Sequence, residues 1–147
     1  MKKIVVTLLS SCLCLSVSAI AQDKTTVLPK IIQASALVPL AESTFLGVDE
    51  KAGVTWFDAR GKKKANFPVA AEMLDIREHV SVNYNGKLIP LDVAATVLLP
   101  EQQPALIALD KNGKKIIELV RLPIPAFKIE HLCLSRDPAN NLFLYLL

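Results

Sequence analysis

The sequence predicts an all-β fold: a partial β-propeller of two to three blade-like units of antiparallel strands, preceded by a signal peptide. Apolar residues after Gln22 fall in short runs separated by Gly, Pro, Asn and Asp, which is typical of strands and turns. Nine prolines are scattered along the chain, and each would interrupt a helix interior. One order of runs and turns occurs twice, 52 residues apart. We therefore divide the chain into a signal peptide (1–21), an N-terminal segment (22–43) and a β-domain (44–147).

Residues 1–21 have the three parts of a secretory signal. The segment opens with two lysines after Met1, continues with the uncharged apolar stretch 4–17 and ends with small residues at Ala19 and Ala21. The apolar stretch is too short for a stable membrane span. Cleavage before Gln22 predicts a secreted or periplasmic protein. Lipoprotein processing at Cys12 is the alternative.

Loss of the signal leaves a nearly neutral chain. The remaining 126 residues carry 15 Lys or Arg and 14 Asp or Glu, a balance that indicates neither nucleic acid nor an anionic membrane surface as a partner. No other stretch is long and apolar enough to predict a membrane span. The one remaining cysteine, Cys133, lies between Leu132 and Leu134, which predicts a buried small side chain rather than a nucleophile or metal ligand.

The repeat consists of two strands, a turn of the form Asp-x-x-Gly-Lys and a further strand. Its copies cover residues 44–69 and 96–122, and their turns are residues 58–62 and 110–114. We expect the glycine of each turn to supply the positive φ of a hairpin. A period of this length with several strands per unit is typical of propeller blades. The alternative is one small sandwich whose two hairpins are alike by chance.

Two further features lie outside these copies. An Asn-Gly pair at residues 85–86, between two short apolar runs, predicts an extra hairpin with a type I′ turn. A third unit is predicted to start at residues 132–134 and to continue in the strand 141–147, which is strongly apolar. Since two and a half blades cannot close a propeller, we expect the domain to be incomplete.

From residue 44 to residue 147 the chain resembles the β-propeller phytases, also called alkaline or 3-phytases. Four segments carry the resemblance, and their order and spacing are more specific than any one of them. They are residues 48–61, with Lys51-Ala52-Gly53 before an apolar strand and an Asp-x-x-Gly turn; Asp75-Ile76-Arg77; Asn85-Gly86-Lys87 with the Ala-rich strand 91–95; and residues 130–134 with 141–146.

The resemblance implies a calcium-dependent phosphoric monoester hydrolase that acts on phytate, myo-inositol hexakisphosphate. In that chemistry calcium ions screen the phosphate charge and activate a water molecule. By resemblance, Asp75 and Glu130 are candidate ligands of calcium, and Lys51 and Arg77 are candidate contacts to phytate or another phosphorylated small molecule. No catalytic residue is identified.

The chain also departs from the family pattern. The expected acidic motif is missing before residue 44, the paired asparagines ahead of Asp75 are replaced by Glu72 and Met73, and an expected phosphate-binding Arg falls at Val97. These departures favour an alternative: a non-catalytic propeller half that supports an active domain or binds a partner such as a second propeller domain. An unrelated small β-domain with an interaction role is the third hypothesis.

Three other residues and one basic run are assigned structural or surface roles. His79 and His131 have no partner at metal-ligand spacing in the sequence. Trp56 alternates with Val54 along a strand, which predicts a core side chain. The basic run at residues 62–64 is predicted to be a solvated turn.

Overall fold

The structure is a computed structural model, and its described part comprises residues 34–147. The predicted signal peptide and residues 22–33 lie outside this part. Ten β-strands and a single 3₁₀ turn at Ala41–Ser43 account for the regular structure of residues 34–147, so the all-β prediction is confirmed. No helix in this part of the chain is long and apolar enough to cross a membrane.

The strands form three antiparallel sheets in which each strand pairs with its neighbour in sequence. The first and second sheets have four strands each, in the orders β1-β2-β3-β4 and β5-β6-β7-β8, and the third pairs β9 with β10. The strands are β1 Ala34–Pro39, β2 Phe45–Asp49, β3 Gly53–Phe57, β4 Lys63–Phe67, β5 Ala71–Tyr84, β6 Lys87–Leu98, β7 Gln103–Asp110, β8 Lys115–Arg121, β9 Leu132–Arg136 and β10 Leu142–Leu146.

The second sheet is covered on both faces because its alternate side chains enter two different cores. Ala94 and Ile107 belong to the core shared with the first sheet, which also contains the buried Trp56. Val93 and Ala108 belong to the core shared with the third sheet. The first strands of the sheets meet, since β5 contacts both β1 and β9.

The turns of the two sequence copies differ in detail. Gly61 has φ +75° and donates its N–H to the carbonyl of Asp58 at 2.9 Å, as predicted. In the second copy the residue with positive φ is Lys114, at +50°, so the prediction for Gly113 was wrong. Gly113 instead donates its N–H to the Asp110 carboxylate at 2.8 Å, and a Cβ there would require that carboxylate to shift.

The Asn-Gly turn is confirmed, but its surroundings differ from the prediction. Asn85 and Gly86 have φ of +54° and +76° and connect β5 to β6 directly. The flanking runs are the distal parts of these two long strands, so they extend the second sheet and do not form an extra element. Likewise β1, which lies within the segment 22–43, pairs with β2 and completes the first sheet.

Two single-residue predictions have opposite outcomes. Trp56 is 1% exposed within the first core, and the Lys64 ammonium lies 4.1 Å from the centre of its ring. Cys133 is exposed, so its predicted burial was wrong. The strand period of two explains why: Leu134 points into the second core, and Cys133 beside it therefore points outward, opposite Tyr145 on β10.

Candidate functional site

Asp75 and Arg77 lie two residues apart on β5, so their side chains share one face of the strand. The Arg77 Nη1 atom is 2.9 Å from Asp75 Oδ1 and also donates to the carbonyl of Ile76 at 2.5 Å. The N–H of Ile76 donates to the same Asp75 oxygen at 2.8 Å. The structure thus brings together one predicted metal ligand and one predicted phosphate contact, but it pairs them with each other.

The second oxygen of Asp75 is engaged by another sheet. Asp75 Oδ2 accepts a hydrogen bond of 2.8 Å from the backbone N–H of Leu134 on β9. Both carboxylate oxygens therefore bind protein donors, and the side chain is only 25% exposed. These bonds fix the orientation of the Asp75 carboxylate between β5 and β9.

Lys51 and Glu130 lie elsewhere. Lys51 is in the turn between β2 and β3, where the Asp49 carboxylate accepts the N–H groups of Lys51 and Ala52 at 2.8 Å each. Glu130 is exposed just before β9 and donates its backbone N–H to the carbonyl of Leu147 at 2.6 Å. Within residues 34–147 no hydrogen bond or ion pair joins the side chain of Lys51 or Glu130 to Asp75.

A cavity of about 580 Å³ borders the first sheet on the face turned away from the core. Leu46 and Val48 point into the core, which places Gly47 between them on the opposite face, where the absent side chain leaves room. Two lysines, Lys51 and Lys63, are among the lining residues. The other lining residues are Gly47, Asp49, Ala52, Gly53, Thr55, Phe57, Gly61, Asn66 and Pro68.

A β-bulge in β5 brings together two acids and a histidine, Glu78, Asp92 and His79. Glu78 and His79 on β5 face the single residue Asp92 on β6, and His79 adopts a φ of +56°. The His79 Nδ1 atom is 3.9 Å from both Glu78 Oε2 and Asp92 Oδ1. The three residues offer ligand atoms within 4.8 Å of one another, which is the spacing of a candidate metal centre.

The ammonium group of Lys111 lies beside Asp92, the buried acid of this group. Its Nζ atom lies 2.9 Å from Asp92 Oδ2, and Asp92 is only 3% exposed. The hydrogen bond to Asp92 raises the pKa of Lys111, because it stabilises the ammonium form. Since this ammonium lies against Asp92, we interpret the group as an ion pair between a buried carboxylate and a partly exposed lysine, beside an exposed histidine.

Sequence reasoning did not single out Glu78, Asp92 or Lys111. One signal was present, because Asp92 stands alone in the apolar run Leu91–Leu98, and a lone acid in such a run indicates a buried charge with a partner. The sequence does not show which residues pair with Asp92. His79 reaches it through the bulge in β5, and Lys111 reaches it from the β7–β8 turn.

Compared with known proteins, the chain matches no protein-family model, and no curated protein matches it.

Proposed function

We propose that this chain is a non-catalytic portion of a β-propeller, which serves as a binding or supporting module and not as a calcium-dependent hydrolase. The arrangement of the strands supports a propeller-type origin. Two four-stranded antiparallel sheets follow each other in sequence, their first strands β1 and β5 are in contact, and β5 in turn contacts β9 of the third sheet. Blades of propellers are four-stranded sheets of this kind.

The observation that carries the non-catalytic part of the proposal is the hydrogen bond between Asp75 and Leu134. A carboxylate that joins two sheets through backbone N–H groups contributes to structure, and moving it toward a metal ion would leave a buried N–H unsatisfied. Val97 supports the same conclusion, since it is fully buried where the phytase pattern has a phosphate-binding Arg.

The experiment measures phosphate release from phytate by the purified protein, with calcium and with a chelator, together with the melting temperature under both conditions. We expect no release and no shift of the melting temperature by calcium, because no described cluster offers the oxygen ligands that calcium requires. Calcium-dependent release that is lost in Asp75→Asn, with the fold retained, would contradict the proposal and restore the phytase hypothesis.

A second candidate is the binding of a phosphorylated small molecule, such as phytate, in the cavity of the first sheet. Lys51 and Lys63 favour it, because both line the cavity and lysine ammonium groups bind phosphate. Calorimetry with phytate tests this candidate in Lys51→Gln and Lys63→Gln. Lys87→Gln is the matched control, because it removes the same charge at the distant β5–β6 turn. Equal affinity in all three variants would exclude the cavity as the binding site.

A further inference from the structure

We infer that Glu78, His79 and Asp92 form a binding site for a zinc ion, with one coordination position left for water or a small ligand. The inference goes beyond the proposed supporting role. Its test uses neither calcium binding nor phosphate release as the readout, so either proposal can fail while the other holds. Among the residues that the structure describes, this is the one group of three His, Cys, Asp or Glu side chains whose ligand atoms lie within 4.8 Å of one another.

The β-bulge turns two neighbouring side chains toward the same acid. Neighbouring residues of a regular strand point to opposite faces. The register of β5 shifts at this point and His79 has φ +56°, so His79 Nδ1 lies 3.9 Å from Glu78 Oε2 and 3.9 Å from Asp92 Oδ1. Arg136 on β9 donates to the carbonyls of Glu78 and His79 at 3.0 and 2.8 Å and thereby holds the bulge. Bulges that redirect side chains in this way are frequent beside functional sites.

The two acids are oriented by donors from other parts of the fold. Glu78 Oε1 accepts the backbone N–H of Ala41, in the 3₁₀ turn of the first sheet, at 3.0 Å, and Oε2 is the oxygen beside His79. Asp92 Oδ2 lies 2.9 Å from Lys111 Nζ, whereas Oδ1 accepts the N–H of His79 at 3.0 Å. Hydrogen bonds to the outer atoms of metal ligands fix their orientation and increase metal affinity. The ligand atoms are therefore held in place by the protein itself.

The donor atoms favour zinc over calcium. One imidazole nitrogen with carboxylate oxygens is a usual ligand set of zinc, whereas calcium takes six to eight oxygen ligands. Tetrahedral zinc with bonds of about 2.0–2.1 Å places its ligand atoms about 3.3 Å apart. The two distances from His79 Nδ1 are 3.9 Å. The His79 side chain is 70% exposed, so it has room to move by the small remaining distance.

A cavity of about 350 Å³ lies beside these ligand atoms. His79 and Asp92 contribute to its lining, together with Pro90 on β6 and with Lys111 and Asn112 from the β7–β8 turn. Zinc usually has four ligands, and a site with three protein ligands completes its coordination with water or a bound molecule. The cavity provides the space for that fourth ligand.

The test titrates zinc chloride into the metal-free purified protein by calorimetry. Glu78→Gln keeps an oxygen for the Ala41 N–H and removes the charged ligand atom. His79→Asn removes the imidazole, and asparagine tolerates the positive φ of this position. Glu130→Gln and His131→Asn are the matched controls, because they change the same pair of residue types in the exposed segment before β9.

We expect zinc to bind the wild type and excess calcium not to displace it. Glu78→Gln and His79→Asn should each weaken zinc binding at least about tenfold, because each removes a ligand, and the two controls should bind as the wild type does. Equal affinity in His79→Asn and His131→Asn would overturn the inference, as would absence of zinc binding or displacement of zinc by calcium.

A second measurement on the wild type does not depend on the folding of any variant. The chain has two histidines, so their imidazole signals can be compared in NMR spectra of histidine-labelled protein. One equivalent of zinc should shift the signals of His79 and leave those of His131 in place. A shift of His131 in place of His79 would contradict the site.

Discussion

The carboxylate of Asp75 on β5 accepts the backbone N–H of Leu134 on β9 at 2.8 Å, and this bond joins the second sheet to the third. We predict that Asp75→Ala lowers the free energy of unfolding by about 2 kcal/mol, because the Leu134 N–H loses its acceptor. Urea denaturation measures the loss. Glu118→Ala on the exposed strand β8 is the control and should change stability little. Unchanged stability in Asp75→Ala would show that the bond does not connect the sheets.

Lys111 is predicted to stabilise the fold through its ion pair with the buried Asp92 carboxylate. Lys111→Met should cost about 2 kcal/mol of stability, because the buried Asp92 carboxylate would lose its ammonium partner. The double variant Asp92→Asn/Lys111→Met should recover part of this loss, since a neutral amide is cheaper to bury than a carboxylate. Thermal and urea unfolding of the single and double variants form the comparison. If the loss in the double variant equalled the sum of the losses in Asp92→Asn and Lys111→Met alone, the two residues would not be coupled.

Gly53 is predicted to be irreplaceable at the start of β3. It has φ +80°, and a Cβ there would collide with the carbonyl oxygens of Phe67 and Val69. We expect Gly53→Ala to cost about 3 kcal/mol, from strained backbone and displaced strands together. Gly86→Ala is the control, because Gly86 has a similar φ of +76° and open space around it. It should cost about 1 kcal/mol from the backbone alone. Equal losses in the two variants would contradict the collision.

Two turn aspartates predict a loss of stability in acid. The N–H of Lys62 donates to Asp58, and the side-chain amide of Asn141 donates to Asp137; these bonds lower the pKa of each carboxyl below its ordinary value of 3.8. A folded-state pKa below the unfolded value gives stability that is present above about pH 4 and is lost as the pH falls through the lowered pKa. We expect the melting temperature of Asp137→Asn to fall less steeply than that of the wild type below pH 4. Parallel profiles would contradict this assignment.

The strand pattern of the chain was well predicted by local chemistry. Turns that depend on one or two residues, such as Asn85-Gly86 and Asp58 to Gly61, lie where the sequence predicts them. The exposure of Cys133 could not be deduced from its apolar neighbours, because an apolar strand can have one face buried and the other exposed to solvent. The pairing of strands decides between them.

The candidate site was less predictable than the fold. Asp75 and Arg77 share a strand face, so their proximity follows from the sequence, but the engagement of Asp75 by Leu134 depends on a contact between residues 59 positions apart. The group of Glu78, His79 and Asp92 depends on a bulge, which changes which residues face each other and leaves no mark in the order of residue types.

The central position of β5 has a consequence for the order in which the sheets unfold. β5 contacts β1, β2 and β3 of the first sheet as well as β9 of the third, and its own partner β6 follows after a two-residue turn. The β5–β6 ladder is therefore formed by neighbours in sequence, and its strand β5 is also the strand against which both neighbouring sheets pack. Backbone amides of β5 and β6 should be the last to exchange with solvent, while β9 and β10 open first as a separate cooperative unit.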